Sequence, residues 1–250
     1  MRIVAFRKRL TSFEIKKEVK NMGFGKNIQF LRRLYGKITQ EELAEKMNVS
    51  RQTISKWELE TAFPEMEKAI QLCRLFSCSL DDLMLKDMNY YDDEAYTDIR
   101  VEDIGPLKYV KYAVFSKEPE EDAIRHLQEW AISAGINKPE IIGWNFPYLS
   151  QEQVNVFHMH GYEAACILPE DFDKTDLEVY MQEKQRYAAI TIGESSKDSF
   201  IIIPNAYKTL QYYIEVNGMK EKREKGILSC FEKEYDKDGW HMDIYIAVEP

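Results

Sequence analysis

The stretch "TQEELAEKMNVSRQTISKWE", Thr39–Glu58, constrains the fold more than any other part of the chain. Thr39 stands where a helix N-cap is wanted, and Glu42 three residues later completes the pattern of a capping box. Leu43, Ala44 and Met47 then fall at helical spacing and make one inward stripe. Asn48 follows, and asparagine is second only to glycine in accepting the left-handed backbone that a sharp reversal needs. Val49 fills the corner, Ser50 caps a further helix, and Ile54 and Trp57 point back toward the first stripe. Two short helices joined by a tight turn are therefore expected here. Upstream, Ile28, Leu31, Arg32, Leu34 and Tyr35 share one helical face from about Asn27, with Gly36 as the stop. Downstream, "AFPEMEKAIQLCRLF" and "SLDDLML" read as two more helices, with Pro64 and Ser79 near their starts.

The charge is unevenly divided. The 250 residues carry a formal net charge of −9, yet residues 1–21 are net +5, residues 22–86 net +1 and residues 87–250 net −15. A nucleic-acid contact belongs in the first third of such a chain, not in its acidic remainder. Four cysteines, at Cys73, Cys78, Cys166 and Cys230, form no CxxC pair and no cluster with histidine, which suits free thiols in a reducing cytoplasm. No apolar run reaches transmembrane length, and the N-terminus lacks the apolar core of a secretion signal. A soluble, cytoplasmic protein without cofactor or metal is expected.

The motif "TQEELAEKMNVSRQTISKWE", followed by "P-x-M-x-K-A-I-x-L", is similar to the five-helix DNA-binding domain of phage-repressor-like (xenobiotic-response-element, XRE) regulators. The resemblance covers about Phe24 to Leu85, with Asn48 where the family prefers glycine. It implies that the helix after the turn enters the major groove of operator DNA, presenting Ser50, Arg51, Gln52, Thr53, Ser55 and Lys56. The Arg51 fork matches the O6/N7 edge of guanine, and the Gln52 amide the N6/N7 edge of adenine. By the same resemblance Gln40 holds a phosphate and braces the recognition helix, Arg33 pairs with Glu58, and two copies bind a palindrome as a homodimer.

Residues 1–21 form a basic extension. Lys17-Glu18-Val19 can be encoded by a purine-rich ribosome-binding sequence just ahead of Met22, so translation is expected to start at Met22. The DNA-binding domain is then 22–86, an acidic, tyrosine-rich linker spans 87–97, and a second domain spans 98–250.

That second domain reads as a repeated β-α-β-β unit. The first copy has a strand around Lys108–Phe115 and a helix Pro119–Ser133 with Ile124, Leu127, Trp130, Ala131 and Ala134 on one face. Gly135 is the stop, and the strands "EIIGWNF" and "EAACILP" follow. The second copy has "RYAAITIG", then a helix opened by Pro204, with Ala206, Leu210, Tyr213 and Ile214 inward and Gly218 as the stop. The strands "ILSCFEKEY" and "HMDIYIAVE" complete it. The last alternates with period two, as a half-buried strand does. Two such units give an α+β domain: a curved antiparallel sheet, helices on one side, and a cleft between the halves.

The repeat, together with "IIGWNFP", "HGYEAACILP" and "CFEKEY…MDIYIAVE", resembles the GyrI-like effector-binding domain that follows the DNA-binding part of many AraC- and MerR-type multidrug regulators. The resemblance implies a small-molecule effector, hydrophobic and often cationic, held between aromatic rings over an acidic residue. Trp144, Tyr148, Phe157, Tyr162 and Trp240 are the candidate rings, and either Glu232 or Glu234, next to Tyr235, the acid. Some members of that family hydrolyse small electrophiles with a glutamate and a tyrosine, and a purely structural dimerisation role is the third alternative. His158 and His160 share a strand face but lack a third zinc ligand.

Overall fold

The computed structural model describes residues 23–88, 95–145, 160–172, 175–193, 199–236 and 238–249. The chain divides into two compact units, taken in turn below.

The N-terminal unit is helical: α1 Phe24–Leu34, α2 Gln40–Met47, α3 Arg51–Glu58, α4 Met66–Leu75 and α5 Leu80–Leu85. The local signals act as expected. The Thr39 hydroxyl accepts from the Glu42 amide, and the Glu42 carboxylate accepts from the Thr39 amide. Ser50 accepts from the Thr53 amide, and Ser79 and Asp82 form a second capping box. Asn48 takes φ 51°, ψ 54°, which lets the Val49 amide reach back to the Ala44 carbonyl and close α2. Ile28, Leu31, Leu43, Ile54, Leu72 and Phe76 are fully buried in the shared core. Two contacts depend on particular residues. Gly25 lets α1 approach the end of α3, because a Cβ there would sit 2.4 Å from the Glu58 carbonyl oxygen. The motif lysine, Lys68, donates to the Met47 carbonyl at 2.7 Å and so satisfies the open end of α2.

Asn27 does more than mark the start of the helical pattern. It is fully buried; its amide nitrogen donates to the Leu83 and Lys86 carbonyls at 3.0 and 2.7 Å, and its oxygen accepts from the Met88 amide. One carboxamide thus terminates α5, whose last carbonyls have no partner within the helix.

The C-terminal unit comprises β1 Tyr96–Ile104, β2 Leu107–Ser116, α6 Pro119–Ser133, β3 Glu140–Asn145, β4 His160–Ile167, β5 Tyr180–Gln182, β6 Gln185–Ile192, α7 Ser199–Val216, β7 Lys220–Glu221, β8 Cys230–Asp236 and β9 Trp240–Glu249. The strands form a curled antiparallel sheet in the order β1-β6-β9-β8-β3-β4-β2-β5, with β7 attached to β9. Outward from the β3–β8 junction, the order β3-β4-β2 on one side mirrors β8-β9-β6 on the other, as two related β-α-β-β units require. At that junction Gly143 lies opposite Glu232.

Several expectations change. β1 begins at Tyr96, inside the stretch read as linker. β1 and β5 each precede one repeat in sequence but pair with the other: β1 edges β6 of the second, β5 edges β2 of the first. Arg100 of β1 reaches across β6 to Asp243 of β9 at 3.0 Å and helps hold this exchange. Pro204 lies inside α7 rather than at its start. Ile202, in the turn before it, is buried, and its carbonyl accepts from the Tyr96 hydroxyl. On α6 the buried residues are Ala123, Leu127 and Ala131, while Trp130 is only half-buried beside Phe172. β9 is buried on both faces from Met242 to Val248 because it is an interior strand, not a half-exposed one.

Candidate functional site

Two places gather polar side chains that the folds do not consume. The first is the outer face of α3. Arg51, Gln52 and Lys56 are exposed at and beyond its N-terminal turn, whereas Ile54 and Trp57 anchor its inner face. Ser50 and Thr53 are largely occupied with each other: hydroxyl to hydroxyl at 2.9 Å, besides the cap bond. Ser55 is half-buried.

Behind α3, Glu58 receives Arg32 Nε at 2.6 Å, Arg32 Nη2 at 3.2 Å and Gln40 Nε2 at 2.8 Å. Arg32 also donates to the Ile38 carbonyl. The partner of Glu58 is therefore Arg32 and not Arg33. One residue turns a helix by about 100°, and Arg32 lies beside the buried Ile28–Leu31 stripe while Arg33 is exposed. Gln40 bonds to the last residue of α3, which ties α2 to the helix expected to meet DNA.

The second place is a pocket on the face of the sheet covered by α6. Its inner part, about 130 Å³, lies at the β3–β8 junction against Tyr162, Gly143, Glu232 and Glu234. Glu120, Ile124, Gln128 and Glu234 also line a wider outer part of about 630 Å³ along the start of α6. The period of two settles which side chains share this face. Glu232 and Glu234 both do, so no choice between them arises: Glu232 is buried and Glu234 is exposed at the mouth. Tyr235 lies on the other face, where its hydroxyl donates to Asp243, and Trp144 does too, with its indole donating to Glu163. Trp240 is exposed at the start of β9 and does not line the pocket. Tyr148, Phe157 and His158 lie outside the described residues.

The Tyr162 ring crosses the junction over Gly143: a Cβ on that glycine would come within 2.4 Å of its ring carbons. Tyr207 of α7 donates to Glu232 at 2.7 Å. Burial raises the Glu232 pKa despite that bond, and Glu120 and Glu234 push it further. Glu120 is exposed as a residue, yet partial desolvation of its carboxyl, followed by the Glu234 charge, raises it as well. Burial also raises the Tyr162 phenol, and the Glu232 charge adds to that, so it keeps its proton. Cys230, pushed up to about 11 by burial, stays a thiol. The pocket thus offers carboxylate oxygens and a protonated phenol. Glu120, Gln128 and Tyr207 were not among the candidates, because nothing local in α6 or α7 distinguishes them from solvated or core positions. Among the described residues no group of three His, Cys, Asp or Glu is placed to hold a metal, and no helix is long and apolar enough to cross a membrane.

With this geometry in view, the comparisons are specific for one part of the chain. The Helix-turn-helix family matches residues 31–83. Residues 31–83 are a helix-turn-helix domain of the XRE type. The helix-turn-helix region is also similar to "HTH-type transcriptional activator BcrR" of Enterococcus faecalis, at 44% identity over 64 residues, 25% of this chain and 30% of BcrR. The match thus spans under a third of that relative's length. Looser likenesses extend over the rest. The crystal structure of the EcmrR C-terminal domain aligns with 62% of this chain and 98% of its own, at 13% identity and TM-score 0.41. EcmrR in the cryo-EM EcmrR–DNA complex aligns with 100% of this chain and 89% of its own, at 16% identity and TM-score 0.45.

Proposed function

We propose that this chain is a ligand-responsive regulator of transcription. Its helix-turn-helix domain binds operator DNA, and the acidic pocket of its C-terminal unit takes a small hydrophobic or cationic effector. The observation that carries the reading is the contrast across α3: Arg51, Gln52 and Lys56 are exposed on one side, while Ile54, Trp57 and the Arg32–Glu58–Gln40 cluster fix the helix on the other. A rigidly held helix with free Arg and Gln at its first turn suits direct readout in the major groove. Similarity of this region to BcrR, named as a transcriptional activator, supports the same role.

In this reading Arg51 and Gln52 read base edges, while Lys56 and Gln40 meet the backbone. Ser50, Thr53 and Ser55 complete the contact surface. A homodimer places two such helices on a palindrome. The effector changes the placement of those helices only through unequal affinity for the two arrangements, so operator DNA and effector must alter each other's affinity by the same factor.

The test is selection of DNA from a random pool by the full chain, then anisotropy titrations on the selected and a scrambled duplex. Arg51→Ala weakens binding to the selected duplex by about 1–3 kcal/mol and relaxes its preference, whereas Gln40→Ala weakens both duplexes alike. Equal losses on both duplexes for Arg51→Ala remove it from the base-reading set.

A further inference from the structure

β1 ends the C-terminal sheet with nine residues, and an edge strand of that length presents backbone groups that natural sheets usually shield. Which of its groups face outward follows from β6. The Gly193 amide donates to the Ala95 carbonyl, so by alternation Thr191, Ala189 and Tyr187 turn toward β1, where they meet Asp98, Arg100 and Glu102. The intervening Ile99, Val101 and Asp103 therefore turn their N–H and C=O groups away from the sheet, and among the described residues no strand pairs with them there. Val101 stands in the middle of these three and is 39% exposed, whereas Ile99 is buried. Charges of opposite sign, Arg100 and Glu102, flank it in sequence.

We propose that β1 pairs with β1 of a second copy of this chain, antiparallel and about a two-fold axis through Val101, so that one sheet runs through the dimer. With the sheet continuous, the axis passes through a residue rather than between two, because opposed side chains share a face. The charges choose which residue. At Arg100 the axis opposes two guanidiniums and sets Asp98 against Glu102; at Glu102 or Asp103 it opposes two carboxylates. At Ile99 the ladder runs into the bulge between Tyr96 and Asp98. At Val101 the two valines meet, and Arg100 of each copy faces Glu102 of the other. Asp103 then lies opposite Ile99, its charge already matched by Lys184 and Arg186. Ile99, Val101 and Asp103 each find partners for N–H and C=O in the second copy. Arg100 keeps its bonds to Thr191 and Asp243, which hold it on the face that Glu102 shares.

This interface rests on the reading of the chain as a homodimer, and sedimentation of the full chain, joined to hydrogen exchange, separates the two. Val101→Pro removes an N–H that points outward, so every β1–β6 bond survives while the central bonds between the copies are lost. The dimer dissociation constant rises about 100-fold or more. Glu102→Lys leaves every backbone group in place and sets like charges opposite Arg100; it weakens the dimer about tenfold, an effect that shrinks with salt. In the unmodified dimer the Val101 amide exchanges slowly, and dilution to monomer removes that protection. The exchange measurement needs no variant, so it decides the matter even where a substitution disturbs the fold. A dimer whose affinity neither variant changes, or a Val101 amide that exchanges equally fast in dimer and monomer, overturns the β1 interface and leaves the homodimer standing. A full chain that stays monomeric at every concentration overturns both.

Discussion

The Arg32–Glu58 pair gives the sharpest test of how the recognition helix is held. The side chains of Arg32 and Glu58 are 13% and 5% exposed, and three hydrogen bonds converge on the one carboxylate. Glu58→Leu leaves the guanidinium desolvated with only the Ile38 carbonyl, and it strips Gln40 of its partner. Losing one member of a buried pair costs about 3–5 kcal/mol. The remaining Ile38 bond and the partial exposure of Arg32 put this case near the lower end, about 3 kcal/mol. Arg32→Leu strands the carboxylate, with Gln40 still donating, and costs a similar amount. The double replacement removes both charges and fills the space with apolar volume, so it costs only about 1–2 kcal/mol. The coupling between the sites is then about 4 kcal/mol, well above the few tenths found for independent positions. Urea unfolding followed by Trp57 fluorescence, with Trp130, Trp144 and Trp240 replaced by Phe, measures the cycle in the full chain. A double variant that costs the sum of the two singles refutes the argument.

Asn27→Asp puts an acceptor where two carbonyls need a donor, at 2.7 and 3.0 Å, and destabilises the N-terminal unit by about 2–4 kcal/mol at neutral pH. The new acid is held protonated in the folded state, so the loss is smallest below the ordinary Asp range and grows as pH rises. A pH-independent loss in thermal unfolding contradicts this. Glu232 has a folded pKa above its unfolded one, so its burial is tolerated below the ordinary carboxylate range and becomes a cost as pH rises through the folded value. Glu232→Gln, which keeps an acceptor for Tyr207, therefore stabilises the C-terminal unit at neutral pH, and the gain fades on acidification. Equal urea midpoint shifts at both ends of that range count against it.

How legible all this is in the sequence depends on the range of the interaction. The Thr39–Glu42 box, the Asn48 turn, the Ser50 and Ser79 caps and the inward Ile54 and Trp57 are decided within a few residues, and each is found as read. The two β-α-β-β copies are legible too, because each unit repeats its own periodicity. Period two by itself also puts Tyr235 opposite Glu232 and Glu234, a consequence that follows from the strand and not from its neighbours.

Other features depend on partners far away in the chain. Asn27 looks like one more polar helix position until α5, more than fifty residues on, brings its carbonyls to it. Arg32 and Arg33 are equivalent in composition, and only the docking of α1 on α3 chooses between them. The exchange of β1 and β5 between the repeats has no local trace, since an edge pairing depends on which strand arrives beside it. The sequence alone therefore determined the helix-turn-helix element, the repeat and the acidic character of the second unit, all set by short-range backbone preference and side-chain periodicity. Only the tertiary structure decided that Glu120 joins Glu232 and Glu234 beneath Tyr162, because that meeting of α6 with β8 and β4 exists once the sheet has curled and its faces are assigned.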